Sequence, residues 1–405
     1  MASGRKRLIL DNASQWPPLA YETLPWKRDA QELELVPKSR RRKILPTYEA
    51  AIPLQIACRD VNLPPGLARR LSELEVSLAR FDALGAARGF DLPALLLRSE
   101  SSSSSQIENL TSSIRNVAMA ELSSNVPHNA RLIANNLDAM RTALALDDEL
   151  TADTMIKVQR VLIGDDESGI RDVQVWIGGT PYSPHGAVYV PPGVQRVDGC
   201  LDDLCAYARR DDVPPIVKAA IVHAQFETIH PFVDGNGRTG RTLLHNMLRR
   251  EGVLGQTTLP VSAGLLHGIE AYLAALNSYH EGNPLAIIEC VADALEVALV
   301  LGHRASVEIA TIIESWRSQI VERSGSAIHR LPELLVEQPV VNASFVADRL
   351  SITPRAANDL IDRAVGYEIL RRVGTARRGV FYQADALIDV LDDLSSAKGL
   401  YRPAP

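Results

Sequence analysis

Aromatic side chains are scarce in this chain of 405 residues: six Phe, ten Tyr and four Trp. Cysteine is scarcer. Cys58, Cys200, Cys205 and Cys290 show neither a metal-binding spacing nor a disulfide framework. Reduced thiols in a cytoplasmic protein are expected. Long uncharged apolar runs are absent too. The most apolar stretch, Leu285 to Leu301, carries Glu289, Asp293 and Glu296, which suits a core helix and excludes a membrane span. The N-terminus has no apolar signal-peptide core. Positive charge is in deficit, 43 Lys and Arg against 49 Asp and Glu, a net charge of −6. That excludes a chain that coats nucleic acid along its whole length, while leaving room for a local basic patch. What remains, 46% hydrophobic and 23% charged, is a soluble globular composition long enough for two or three domains.

Read in order, residues 1–45 form a polar, proline-bearing arm ending in the basic run Lys38 to Lys43, expected to be solvated. Leu67, Leu71, Leu74, Leu78 and Phe81 then repeat at steps of four and three, the buried stripe of a helix. Helices are expected over Ile114–Leu122, Ala130–Leu144, Ala152–Leu162 and Pro215–Ile229, the last with Pro in its first turn. Between them the character changes. Val173–Ile177 and Ala187–Val190 alternate around the turn-forming Gly178-Gly-Thr-Pro-Tyr-Ser-Pro184, which reads as a β-hairpin in a helical chain. Such a hairpin is either a protected lid or a free edge to which an extended peptide adds by main-chain hydrogen bonds.

The most informative stretch is His230-Pro-Phe-Val-Asp-Gly-Asn-Gly-Arg-Thr-Gly-Arg241. Gly235 and Gly237 have no Cβ and allow close backbone approach to a ligand. The loop feeds a helix N-terminus, whose unpaired N–H groups favour an anion. Arg238 and Arg241 lie three apart on one helix face, and two forked guanidiniums suit phosphate oxygens. Asp234 beside such a cradle is a natural Mg²⁺ ligand. His230 at the loop entrance has a pKa suited to taking a proton. His223 and His230 do not form a two-histidine metal site, since they lie about 10.5 Å apart along the helix.

This stretch resembles the signature of the Fic family, His-x-Phe-x-Asp/Glu-Gly-Asn-Gly-Arg-x-x-Arg, with every fixed position filled. The resemblance implies a mainly α fold, a Fic-type helical core with a β-hairpin flap. It also implies a protein adenylyltransferase that moves AMP from ATP to a Ser, Thr or Tyr hydroxyl of a protein target, self-modification included. His230 would be the base. Gly235, Asn236, Gly237, Arg238 and Arg241 would hold ATP, with Mg²⁺ on Asp234. Ala187, Val188, Tyr189 and Val190 would form the edge that docks the target. Tyr272 resembles the family tyrosine that lines the adenine pocket, whereas His280 stands where some relatives have Asn. Gly237 and Arg238 favour AMP transfer over the phosphate transfer of death-on-curing toxins.

Two readings of Glu108 stand side by side. Ser105-Gln-Ile-Glu108 fits a capping box, with Ser105 as N-cap and Glu108 at N3. Ser104-x-x-x-Glu108-Asn109 also resembles the inhibitory motif that one class of Fic proteins carries N-terminally. In that class the glutamate pairs with the second motif arginine, here Arg241. Removal of AMP, with Glu108 aligning a water, and a nucleotide-sensing DNA-binding regulator are the alternatives to AMP addition.

Beyond the linker-like Arg323 to Ala327, helices are expected over Leu331–Val336, Phe345–Leu350 and Thr353–Val365. Thr353 would be an N-cap, Pro354 would take N1 and Gly366 would stop the last helix. Leu370–Val373 and Val380–Tyr382 flank a basic turn. The pattern resembles a small winged helix-turn-helix domain. Arg355, Asn358, Arg363, Arg377 and Arg378 would contact DNA, but interleaved Asp348, Asp359, Asp362 and Glu368 leave protein contact, including a homodimer, equally open. The expected division is 1–45 arm, 46–122 N-terminal helical region with the inhibitory helix, 123–305 catalytic core and 306–405 linker helix and winged-helix domain.

Overall fold

The computed structural model describes residues 16–26, 36–86, 90–146, 149–165, 167–374 and 379–395. In chain order its elements are β1 (Ala20–Pro25), α1 (Lys38–Arg41), β2 (Thr47–Ile52), α2 (Pro65–Ala86), α3 (Leu92–Ile107), α4 (Ile114–Ala120), α5 (His128–Leu144), α6 (Ala152–Ile163), α7 (Val194–Ala208), α8 (Pro215–Ile229), α9 (Asn236–Arg250), α10 (Val261–His267), α11 (Ile269–His280) and α12 (Leu285–Gln319). Then follow α13 (Leu331–Glu337), β3 (Val340–Val341), α14 (Ala343–Leu350), α15 (Pro354–Gly366), β4 (Arg371–Val373), β5 (Phe381–Gln383) and α16 (Asp385–Ser395). The fold is mainly helical, as expected. The chain divides into two compact units that are discontinuous in sequence: Met1–Ala68, Leu146–Met247 and Tyr272–Glu289 form the first, and Arg69–Ala145, Leu248–Ala271 and Cys290–Pro405 the second.

In the first unit α8 is the central helix. It is buried from Ile216 to Ile229 apart from Glu227, because its sequence is apolar on every side. The polar groups it buries find partners. Gln225 Nε2 donates to Leu54 O at 2.8 Å, and its Oε1 accepts from the Tyr279 hydroxyl at 2.8 Å. The Thr228 hydroxyl donates to Ala224 O at 2.7 Å. Helix α7 packs against α8 and α6.

The N-terminal arm is not only solvated chain. Residues 20–25 form β1, antiparallel to β2 with Ala20 opposite Ile52 and Pro25 opposite Thr47. The aromatics scarce elsewhere gather here. Trp26 meets Tyr48 and Trp176 edge-on, with centroids at 5.7 and 5.5 Å, apolar contacts that anchor the end of β1.

The expected hairpin is looser than a pair of strands. Residues 173–190 close through two isolated bridges, Ile177 with Tyr189 and Thr180 with Ser183. Gly178 and Gly179 both sit at φ +74°, which turns the chain back. The ladder stops there because its next hydrogen bonds go elsewhere. Val190 O accepts from Ala51 N of β2 at 3.0 Å, and Gln174 Nε2 donates to Val175 O and Pro191 O at 3.0 Å each. Pro191 and Pro192 have no N–H to offer.

In the second unit α3 lies among α4, α5, α10, α13 and α16. Ser99 to Ser105 are all buried within it, and this corrects the capping-box expectation. Ser105 is helical and Glu108 is the C-cap residue. The N-cap is Asp91, whose Oδ1 accepts from Ala94 N at 3.1 Å, with Pro93 in the first turn. The sequence misleads because small serines look like a helix start, yet they also let neighbouring helices approach closely, and a hydroxyl among them can bond to backbone. Ser101 Oγ donates to Ile133 O at 2.7 Å, and Asn136 Nδ2 returns to Ser101 O at 3.1 Å. Buried Glu100 accepts from Ser262 N at 2.8 Å and from the Ser262 hydroxyl. Arg98, 2% exposed, binds Glu121 through both carboxylate oxygens at 2.7 and 3.1 Å. Asn109 at φ 62° then turns the chain out of the helix.

The C-terminal segment of this unit forms the antiparallel sheet β3-β5-β4, and α14 packs against α15. Thr353 caps α15, its Oγ1 accepting from Ala356 N at 3.2 Å. Helix α15 runs to Gly366, and the left-handed residue after it is Glu368 (φ 58°) rather than that glycine. Arg363 binds Glu322, and Asn358 Nδ2 donates to Pro354 O at 2.9 Å. Arg377 and Arg378 lie outside the described residues. Helix α12 is unbroken over 35 residues, from Leu285 to Gln319. Among the described residues no helix is long and apolar enough to cross a membrane.

Candidate active site

Helix α8 ends at His230, which adopts the left-handed conformation (φ 50°, ψ 62°) while its N–H still closes the helix on Phe226 O at 2.9 Å. That turn throws the chain into the loop 231–235 and leads into α9. Asn236 ties the loop shut. Its Oδ1 accepts from Phe232 N and its Nδ2 donates to Phe232 O, both at 2.9 Å. Gly235 sits at φ +81°, and a Cβ there would lie 2.9 Å from Leu162 Cδ2 and 3.3 Å from Ile163 Cγ2 of α6. Glycine is therefore required twice over, by conformation and by close approach. Gly240 has a different reason. It is helical, and a Cβ would meet Glu227 Oε1 at 2.5 Å and Phe226 Cδ1 at 3.0 Å, so it lets α9 lie against α8.

Arg238 and Arg241 occupy the first two turns of α9 and are 3% and 2% exposed. Two buried guanidiniums at a helix N-terminus concentrate positive charge where backbone N–H groups already favour an anion. Asp234 is the exposed member. Its Oδ1 accepts from Gly235 N at 2.6 Å, and its Oδ2 lies 3.6 Å from Arg238 Nη2, with the side chain 65% exposed. Among the described residues no group of three or more His, Cys, Asp or Glu surrounds it. One accessible hard-oxygen carboxylate beside a cationic helix N-terminus fits Mg²⁺, which keeps several waters and can take phosphate oxygens for the rest.

His230 is held neutral at pH 7. Burial pushes its pKa down to about 4 and the nearby Arg171 charge adds to this, while the Glu227 backbone and the Asp234 charge oppose it. His223, one helical stretch earlier, is also pushed down to about 4, first by burial and then by the Arg241 charge. Its Nε2 lies 2.9 Å from the Tyr272 hydroxyl, with the two rings stacked at 5.9 Å. Tyr272 is 2% exposed, and the structure places it against His223. The flap reaches the same region. The Tyr189 hydroxyl donates to Thr228 O at 2.7 Å and its ring stacks on His280 at 4.5 Å. Thr228 Oγ1 lies 3.1 Å from His280 Nε2. Val188 of the flap is 78% exposed.

Two residues of this region carry no signal in the sequence. Gln159 of α6 donates to Asp234 O at 3.3 Å and accepts from Gly169 N at 3.1 Å. Arg171 is 2% exposed and spends its guanidinium on carbonyls: Nε on His230 O at 2.9 Å, Nη1 on Val173 O at 3.2 Å and Nη2 on Pro192 O at 2.6 Å. Its own N–H donates to Pro231 O at 2.9 Å. Neither residue stands in a motif. Gly240, by contrast, was legible in principle, since an unbroken helix that tolerates glycine implies a close neighbour.

Comparison with known proteins agrees with this geometry. The Fic/DOC family profile matches residues 149–248. Protein adenylyltransferase fic-1 of Caenorhabditis elegans is 36% identical over 110 residues, 26% of this chain and 20% of that protein. A probable protein adenylyltransferase of Aquifex aeolicus is 35% identical over 98 residues, 24% of this chain and 28% of that protein. The chain thus aligns with less than a third of either relative. The crystal structure of a Fic family protein from Desulfovibrio desulfuricans G20 superposes with a TM-score of 0.51 at 20% identity, covering 80% of this chain and 97% of that one, which is a likeness of fold. The chain carries a Fic domain, and the loop from His230 to Arg241 lies inside it.

Proposed function

We propose that this chain transfers AMP from ATP to a hydroxyl of a protein Ser, Thr or Tyr. One observation carries the reading: a neutral, partly buried histidine directly precedes a backbone-locked loop that opens onto two buried arginines at a helix N-terminus. The relatives named adenylyltransferases support the reaction class. ATP would bind with its phosphates on the Gly235–Gly237 backbone and on Arg238 and Arg241. Asp234 would hold Mg²⁺, which when bound offsets charge on the departing diphosphate. The acceptor hydroxyl oxygen bonds to the α-phosphorus as the bond from that phosphorus to the bridging oxygen breaks. Diphosphate leaves with the electron pair, and the hydroxyl proton goes to His230. A triphosphate against the imidazole favours its charged form, raising a pKa of about 4 towards the working pH, where a general base is most effective. Positioning and charge stabilisation would supply the acceleration.

Glu108 takes the regulatory role in this reading. As the C-cap of α3 it contributes nothing favourable to the helix dipole, because a carboxylate there faces the negative end. The test incubates wild type, Glu108→Gly and Glu108→Gly/His230→Ala proteins with α-labelled ATP and cell lysate. Glu108→Gly should raise labelling at least ~10-fold, about 1.4 kcal/mol in barrier terms, and His230→Ala should abolish it while ATP still binds. Equal labelling with and without His230 removes it from the base role. Flat or reduced labelling in Glu108→Gly rejects autoinhibition.

A further inference from the structure

Arg171 is a buried cation whose bonded partners among the described residues are all main-chain carbonyls. Burial lowers its pKa to about 10, yet it stays charged at neutral pH. The three carbonyls come from three places in the chain. His230 O lies at the C-terminus of α8, where carbonyls lack helical partners and a cation is favoured. Val173 O and Pro192 O flank the flap 173–190, one at each foot. The planar fork can serve all three because its donors point in fixed, divergent directions, which a single ammonium cannot reproduce. The backbone bond from Arg171 N to Pro231 O adds a second hold on the turn after His230. His230 needs such a hold, since a non-glycine residue at φ 50° persists only where its surroundings impose it. A second tie runs from Tyr189 to Thr228 O, two residues before His230.

We infer that Arg171 is a positioning residue: its guanidinium fixes the His230 backbone in register with both feet of the flap, so that base and docking edge move as one part. The inference rests on the transfer reading for its functional consequence, though the clamp itself is a matter of structure. Loss of the clamp leaves the phosphate loop in place, because Asn236 and Gln159 hold that loop independently. The defect should therefore fall on transfer to an acceptor and spare the binding of ATP.

The experiment uses the full-length protein carrying Glu108→Gly, with Arg171→Gln, Arg171→Lys or Arg210→Gln added. Arg210 is the control for loss of an arginine network, since it binds Arg59 O, Asp60 and Asp212. Amide hydrogen exchange is followed at Ile177 and Val188, whose N–H groups close the flap. In Arg171→Gln these amides should exchange at least ~10-fold faster. Labelling of acceptor proteins from α-labelled ATP, per folded molecule, should fall about 10- to 100-fold with KM for ATP within about twofold of the parent. Arg171→Lys should be intermediate in both. Arg210→Gln should lower the thermal midpoint and leave both readouts unchanged. Unchanged flap exchange in both Arg171 variants overturns the clamp, whatever happens to labelling. Faster exchange with unchanged labelling overturns the positioning role. If the parent itself transfers no label while flap exchange still rises, the transfer reading has failed and the clamp stands.

Discussion

Replacing Gly235 by alanine tests the geometry of the proposed phosphate loop most directly. Two costs add. A Cβ at φ +81° enters the left-handed region, about 1–2 kcal/mol for a non-glycine residue. It also meets Leu162 Cδ2 at 2.9 Å and Ile163 Cγ2 at 3.3 Å, an overpacking contact of about 1–3 kcal/mol. Loss of unfolded-chain entropy returns about 0.4–1 kcal/mol, so a net loss of about 2–3 kcal/mol is expected. Gly186 supplies the control, because it sits at φ +82° and a Cβ added there would meet nothing within 4 Å. Gly186→Ala should therefore cost only about 1 kcal/mol. Urea unfolding followed by tryptophan fluorescence measures both, since Trp16, Trp26 and Trp176 all belong to the first unit. Titration calorimetry should show ATP affinity weakened at least ~10-fold in Gly235→Ala, as the N–H groups proposed to face the phosphates shift. If Gly235→Ala is no more destabilising than Gly186→Ala, the approach of the loop to α6 is not what that glycine serves.

Asp234→Ala should lose labelling activity together with its dependence on Mg²⁺, and a variant with full Mg²⁺-dependent labelling would place the metal elsewhere. Stability of the first unit should fall as pH drops from 6.5 towards 4, because His223, His230 and His280 are held neutral with pKa values of about 4. The sign follows from the unfolded chain, which takes up these protons from about pH 6.5 downward while the folded protein resists. The stabilisation is full above that pH and is lost on acidification, by up to about 3 kcal/mol for fully buried His223. Urea midpoints measured across this range in wild type and His223→Gln check it; equal slopes in the two proteins would show that His223 is not a source of the loss.

Much of the candidate site was legible because its residues are local. His230, Asp234, Gly235, Asn236, Arg238 and Arg241 fall within twelve consecutive residues, and one turn followed by one helix start brings them together. The helices were legible for a similar reason: apolar periodicity and Pro at an N-terminus act within a few residues, as at Pro215 and at Thr353-Pro354. The flap was visible as alternation around Gly178-Gly179, but whether a ladder forms depends on what else competes for its carbonyls. Ala51, Gln174 and Arg171 all do, and no alternation along the chain shows that their donors reach those carbonyls.

Only the tertiary structure could decide the serine run. The same residues that look like an N-cap signal are the interior of α3, because neighbours supply Ile133 O, Asn136 and Ser262 to the groups it buries. The end of β1 is held by aromatic contacts between Trp26, Tyr48 and Trp176, which no periodicity announces. Arg171 is the clearest case. A charged residue in isolation reads as solvated surface, and its burial makes sense only once carbonyls of residues 173, 192 and 230 converge on it. Sequence determines chemistry where the partners are neighbours along the chain. Where the partners are main-chain atoms brought together by folding, any residue type offers the same carbonyl, so the sequence holds no trace of the choice.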